Sequence, residues 1–83
     1  MSMDIFTERE KEVLELLLLG YSNKMISKKL VISNHTTKAH VASIFRKLVV
    51  QNRVQATVKC MQMGYGQNLK IENFAKDKDS SEL

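Results

Sequence analysis

The sequence predicts an all-α domain of four short helices followed by a flexible C-terminal tail, and three observations predict it. Apolar residues recur at intervals of three and four in four separate stretches, each preceded by a Thr, Ser or Asn suited to capping a helix. No strand candidate is longer than Val49-Val50, and the chain has no proline to interrupt a helix. Its 83 residues allow a single domain with a modest core, and with no Trp that core must rest on Leu, Ile, Val and Met.

The first helix is expected over residues 8–19. Thr7-Glu8-Arg9-Glu10 forms a capping box, in which the Thr7 hydroxyl accepts from the Glu10 amide while the Glu10 side chain reaches back. Glu8, Glu10 and Glu12 suit the positive end of the helix dipole. Val13, Leu14, Leu16, Leu17 and Leu18 supply the apolar face, and Gly20 can close the helix in a left-handed conformation. Ser22 then caps a second helix, Asn23 to Leu30, with Met25, Ile26 and Leu30 on one side and Lys24, Lys28 and Lys29 largely on the other. Val31-Ile32 interrupts the pattern, and Ser33 caps a third helix from Asn34 to Leu48. A short helix, a three-residue break and a freshly capped helix is the spacing of a helix-turn-helix.

The third helix divides into two faces. Thr37, Val41, Ile44 and Leu48 lie at intervals of four, three and four and should be buried. His35, Lys38, Ala39, Ala42 and Arg46 fall on a different face, which carries no acid and has two small residues at its centre, so another surface could approach it closely. Asn52 caps a fourth helix from Arg53 to about Met63, with Val54, Val58 and Met61 in one register and Ala56, Cys60 and Met63 beside them. Gly64-Tyr65-Gly66 ends it. Residues 1–66 form the expected domain; residues 67–83 are a polar, mostly disordered tail, with room for a brief turn at Leu69 to Phe74.

The net charge of +4 is unevenly distributed. Residues 1–20 sum to −3 and residues 72–83 to −2, whereas residues 21–71 hold nine Lys and Arg and no acid. A wholly basic central block points to a polyanionic partner, with a merely solvated basic surface as the alternative. The single cysteine, Cys60, excludes a disulfide within the chain or a thiolate cluster, and its place on an apolar helix face makes it a packing residue. Neither histidine has an acid or cysteine at ligand spacing, so no metal and no other cofactor is expected. No apolar run is long enough to span a membrane, and Met1-Ser2-Met3-Asp4 has neither the basic nor the apolar region of a signal peptide, so a cytoplasmic location is expected. With no phosphate-cradling glycine loop and no nucleophile-base-acid set, the chain is not expected to be an enzyme or to hold a small-molecule ligand.

Five blocks in order give the chain a recognisable signature: Thr7-Glu8-Arg9-Glu10-Lys11-Glu12-Val13-Leu14, then Gly20-Tyr21-Ser22-Asn23-Lys24-Met25-Ile26 and Leu30-Val31-Ile32-Ser33, then Thr36-Thr37-Lys38-Ala39-His40-Val41 through Arg46-Lys47-Leu48, and Asn52-Arg53-Val54-Gln55-Ala56. With these, residues 6–63 resemble the helix-turn-helix domain of the LuxR/FixJ/NarL family of bacterial transcription regulators. The resemblance implies a DNA-binding module in which the third helix enters the major groove and the second crosses the backbone. It implies that Lys38, Ala39 and Ala42 face base edges, Lys38 as donor to guanine and the alanines as apolar contacts. It implies phosphate contacts from Asn23, Lys24, Asn34, Thr36, Arg46 and Lys47, and a homodimer formed through Val54, Val58, Met61 and Gln62 on the last helix. RNA polymerase is a further candidate partner. Family members often carry a receiver or ligand-binding domain ahead of this module; a stand-alone regulator and the end of a longer response regulator both remain open.

Three positions depart from the family pattern. Thr37 stands where an apolar residue is usual; its methyl can pack and its hydroxyl can bond back to the Ser33 carbonyl. Leu48-Val49-Val50 replaces the usual Leu-Gly-Val, and since a β-branched residue resists the left-handed conformation, another turn is expected at Val49. Met25 stands where Glu is frequent, which removes half of a capping box from the second helix. The role of His40, on phosphate or at the core edge, stays open, as does that of Met61 and Met63 between dimer contact and core filling; His35 is expected near the DNA backbone. The competing function is a helical protein-interaction module that modulates another regulator without specific DNA binding.

Overall fold

The structure, a computed structural model, describes residues 5–64; the expected tail at residues 67–83, with its turn at Leu69 to Phe74, lies outside them. Four helices follow in order, α1 (Glu8–Leu18), α2 (Asn23–Leu30), α3 (Asn34–Leu48) and α4 (Arg53–Gln62), and no strand occurs among the described residues. The starts fall where the caps place them, because each cap side chain accepts from an amide that the first helical turn leaves unpaired. Thr7 accepts from Glu10, Ser22 from Met25, Ser33 from Thr36 and Asn52 from Gln55. Only the ends of α1 and α4 differ from expectation, each by one residue, with Leu19 and Met63 as caps rather than last helical residues.

The way the helices stop corrects one expectation. Gly20, at φ +98°, ends α1 with its amide on the Leu17 carbonyl and the next amide on the Leu16 carbonyl. Val31 and Val49 end α2 and α3 by the same pattern, at φ 56° and 60°, so Val49 does adopt the left-handed conformation that its branched side chain disfavours. The geometry persists because it pairs orphaned carbonyls: Val49 donates to Arg46 and Val50 to Phe45, while Val31 donates to Lys28 and Ile32 to Ser27. Each such residue costs about 1–2 kcal/mol locally. Both valines are more than four-fifths exposed and lose nothing by packing elsewhere.

Helix α3 packs against all three other helices, and α1 against α2 and α4 as well. The predicted stripe Thr37, Val41, Ile44 and Leu48 is buried, facing Val13, Leu14, Leu17 and Leu18 of α1, Ile26 of α2, and Ala56 and Cys60 of α4. Fully burying one such aliphatic side chain is worth about 1.5–3 kcal/mol, so this single cluster dominates the fold's stability. Phe6, just before the Thr7 cap, is buried in the same cluster. Cys60 is fully buried, and its burial pushes the thiol pKa up, as suits an unreactive packing residue.

Two polar ties fix α3 and α4 against α1. Glu10, nearly buried, accepts from the Thr7 amide at 3.0 Å, the Ser43 hydroxyl at 2.6 Å and the Lys47 ammonium at 2.7 Å. Burial alone would push its pKa up; the hydrogen bonds from Lys47, Ser43 and Thr7 and the charge of Lys47 overcome that and hold it down at about 2. The other tie is Arg53. Helix α1 has no basic residue in its last turn, and the Arg53 guanidinium from α4 supplies one, donating to the carbonyls of Leu17 at 3.2 Å and Tyr21 at 2.7 Å.

Candidate nucleic-acid interface

The outer face of α3 is built as the spacing predicts. His35, Lys38, Ala39, Ala42 and Arg46 are all exposed, while the four residues of the opposite stripe are buried. Two methyl side chains at the centre make this face flat, so a partner surface could come close to the helix backbone. Lys38 stands beside Ala39 as the long hydrogen-bond donor at that centre. His40 is half-buried at the edge of the stripe, between its two open readings.

The N-terminal ends of α2 and α3 share one electrostatic feature. Neither helix has an acid in its first turn, so the positive ends of both dipoles are uncompensated within their own turns. Their basic residues lie instead in the last turns, Lys28 and Lys29 in α2, Arg46 and Lys47 in α3. Of the residues expected on phosphates, Lys24, Asn34 and Arg46 are exposed, and Asn23 and Thr36 are half-buried. The Thr36 hydroxyl accepts from the Ser33 hydroxyl at 2.9 Å, which leaves its own proton to be donated outward. Met25 is half exposed and gives Ser22 no reciprocal bond, as its lack of a carboxylate requires.

Lys47 stands apart. Its ammonium pairs with buried Glu10 and lies 5.9 Å from the Phe6 ring centroid, with only a third of its side chain exposed. Its first task is therefore inside the domain, something its sequence position among the basic residues did not reveal.

Thr37 corrects the other local expectation. Its hydroxyl is fully buried and pairs with the Ser27 hydroxyl of α2 at 2.7 Å rather than with the Ser33 carbonyl. The Ser27 proton is already donated to the Asn23 carbonyl at 2.8 Å, so Thr37 is the donor in that pair.

On α4 the register Val54, Val58 and Met61 is exposed, at 71%, 48% and 55%, with Gln62 exposed beside it. With Val49 and Val50 these valines line a shallow open groove along one side of α4. Met63 turns the other way and packs, half-buried, against the core. Among the described residues no group of His, Cys, Asp and Glu could hold a metal, and no helix is long and apolar enough to cross a membrane.

Comparison with known proteins accounts for this architecture. The family model described as bacterial regulatory proteins, luxR family, matches residues 4–60. The chain is similar to the transcriptional regulatory protein DegU of Brevibacillus brevis, 46% identical over 63 residues that make up 76% of this chain and 27% of that protein. It is similar to the nitrate/nitrite response regulator protein NarP of Escherichia coli strain K12, 47% identical over 58 residues, 70% of this chain and 27% of the relative. A third relative is the response regulator protein VraR of Staphylococcus aureus, 44% identical over 59 residues, 71% of this chain and 28% of the relative. The chain thus spans about a quarter of the length of the curated relatives it matches. An acid-free α3 face, a helix-turn-helix spacing kept by three capped turns and a family match across all four helices lead to one conclusion: the chain belongs to the LuxR family of bacterial regulatory proteins, as a DNA-binding helix-turn-helix domain of transcription regulators.

Proposed function

We propose that this domain binds promoter DNA sequence-specifically, as a dimer, with the outer face of α3 in the major groove. The observation that carries the reading is the exposed, acid-free α3 face with Lys38 beside Ala39 and Ala42, in a domain whose α2 and α3 both lack first-turn acids. Lys38 donates to guanine O6 or N7, and the two alanines contact thymine methyls. Lys24, Asn34, Thr36, Arg46 and Asn23 hold phosphates, helped by the amides of the helix ends; Lys47 adds only what its bond to Glu10 leaves over. One lysine between small residues can specify few base pairs, so two half-sites read by a dimer through Val54, Val58, Met61 and Gln62 supply the rest. The setting is the bacterial cytoplasm at the nucleoid, where a regulator of this kind acts on RNA polymerase and performs no chemistry of its own.

The test is binding to two duplexes across a salt series: one selected by the protein from a randomised library, and the same composition scrambled. The selected duplex is expected to bind at least about a thousandfold more tightly. Lys38→Ala should cost about 1–3 kcal/mol on the selected duplex and relax choice at one position, whereas Lys24→Ala should weaken both duplexes alike and flatten the salt dependence by about one phosphate. Lys24 suits this control better than Lys47, whose removal would also strip Glu10 of its partner. Equal affinity for both duplexes at every salt concentration would refute specific recognition and favour the protein-interaction module.

A further inference from the structure

Ser27 and Thr37 form the one side chain to side chain hydrogen bond between α2 and α3 among the described residues. Both are buried, Thr37 completely and Ser27 at 6% exposure, on helices whose other buried residues, Ile26, Val41, Ile44 and Leu48, are all apolar. The bond belongs to a directed relay: Thr37 donates to Ser27, and Ser27 donates to the carbonyl of Asn23 at the start of α2. No buried side-chain polar atom among the described residues lacks a partner, so the relay is complete. Each of its ends adjoins, along the chain, a residue of the proposed interface. Thr37 immediately precedes Lys38, and Asn23 immediately precedes Lys24.

An apolar pair at these positions would hold the helices together through steric fit, which many neighbouring contacts share, whereas a hydrogen bond adds a directional restraint at this one point. For the buried hydroxyl pair at 2.7 Å, rotating α3 lengthens the bond and leaves a buried donor without its acceptor. We propose that Thr37, acting through Ser27, is a specificity-determining positioning residue that sets the register between the base-reading face of α3 and the phosphate-holding end of α2. This rests on the reading of the domain as a sequence-specific DNA binder. Phosphate contacts fix where the domain sits, and base edges are read only if α3 is turned correctly relative to those contacts. A register error therefore weakens the cognate duplex and leaves non-specific binding, which depends on charge alone, unchanged.

The variant to test is Thr37→Val, which keeps shape and removes the hydroxyl while Ser27 keeps its acceptor in Asn23. Binding is measured by fluorescence anisotropy to the library-selected duplex and to its scrambled counterpart, with thermal unfolding alongside. The expected result is an affinity ratio reduced about tenfold, the size of one mismatched base pair, with the scrambled duplex and the salt dependence unaffected. Thr37→Ser, which loses a methyl but keeps the donor, should recover most of the ratio. Ser27→Ala removes the same bond from the other side and carries the same expectation should Thr37→Val fail to fold. A wild-type ratio in Thr37→Val or in Ser27→Ala, or a loss in Thr37→Ser equal to that in Thr37→Val, overturns the positioning role while leaving specific binding intact. Failure of the wild-type protein to tell the two duplexes apart overturns both.

Discussion

Helix α3 is held at its two ends by different chemistry. At its N-terminal end every tie is a neutral hydroxyl: Ser33 caps the first turn through the Thr36 amide, and Thr37 donates to Ser27. Toward its C-terminal end the ties are ionic, with Ser43 and Lys47 both donating to the buried carboxylate of Glu10. The difference is informative because α1 shows the usual alternative, a carboxylate in its own capping box. A carboxylate at the start of α3 would stabilise the helix dipole equally well but would repel phosphate at the place where an amide and a dipole could attract it. Neutral caps secure the helix and keep its positive end available. The acid is used where Lys47 neutralises it, near the C-terminal end of α3.

This comparison can be broken at either end. Glu10→Ala should have the largest effect, a loss of about 2–4 kcal/mol in chemical denaturation, since it removes the acceptor of three hydrogen bonds and leaves Lys47 unpaired. The same site should respond to acid. Glu10 has a pKa of about 2 in the fold against 4.5 ordinarily, so its contribution is complete above 4.5 and is lost as pH falls toward 2. Urea unfolding of the wild type between pH 5 and 2 should show that decline, and Glu10→Gln should lack its share of it. Ser33→Ala comes next, at about 1 kcal/mol, the value of a helix N-cap. If it proved costlier than Glu10→Ala, the hydroxyl end and not the ionic end would be the principal anchor of α3.

The smallest effect has the opposite sign. Val49→Gly should stabilise the domain by less than about 1 kcal/mol, because relief of the left-handed valine exceeds the added freedom of glycine in the unfolded chain by only a little. A rise of a few degrees in the unfolding midpoint would confirm it, and a fall would mean that the exposed Val49 side chain has a packing role.

Local chemistry in the sequence placed the frame of the domain and the exposed face of α3 on which the candidate site is proposed. Thr7, Ser22, Ser33 and Asn52 announced four helix starts, and the intervals between Thr37, Val41, Ile44 and Leu48 separated the buried side of α3 from the exposed one. Three things were not legible. Lys47 looked like any other basic residue on α3, because its partner Glu10 lies on another helix and was already accounted for as a cap. Arg53 gave no sign that it would close the end of α1. Val49 was expected to avoid a conformation that its side chain disfavours, yet the carbonyls it pairs outweigh that preference.

What the sequence determined by itself, then, was most of what depends on neighbours within one turn of helix, the left-handed Val49 excepted: which residues cap the helix starts, which face is apolar, and which face is left basic and flat. Periodicity and capping act over three or four residues and can be read from spacing alone. The tertiary structure alone decided how α3 is oriented and secured: Thr37 on Ser27, Ser43 and Lys47 on Glu10, and α4 drawn to α1 by Arg53. Those bonds join residues on different helices, brought together by a core whose packing is non-directional, so no local pattern encodes them.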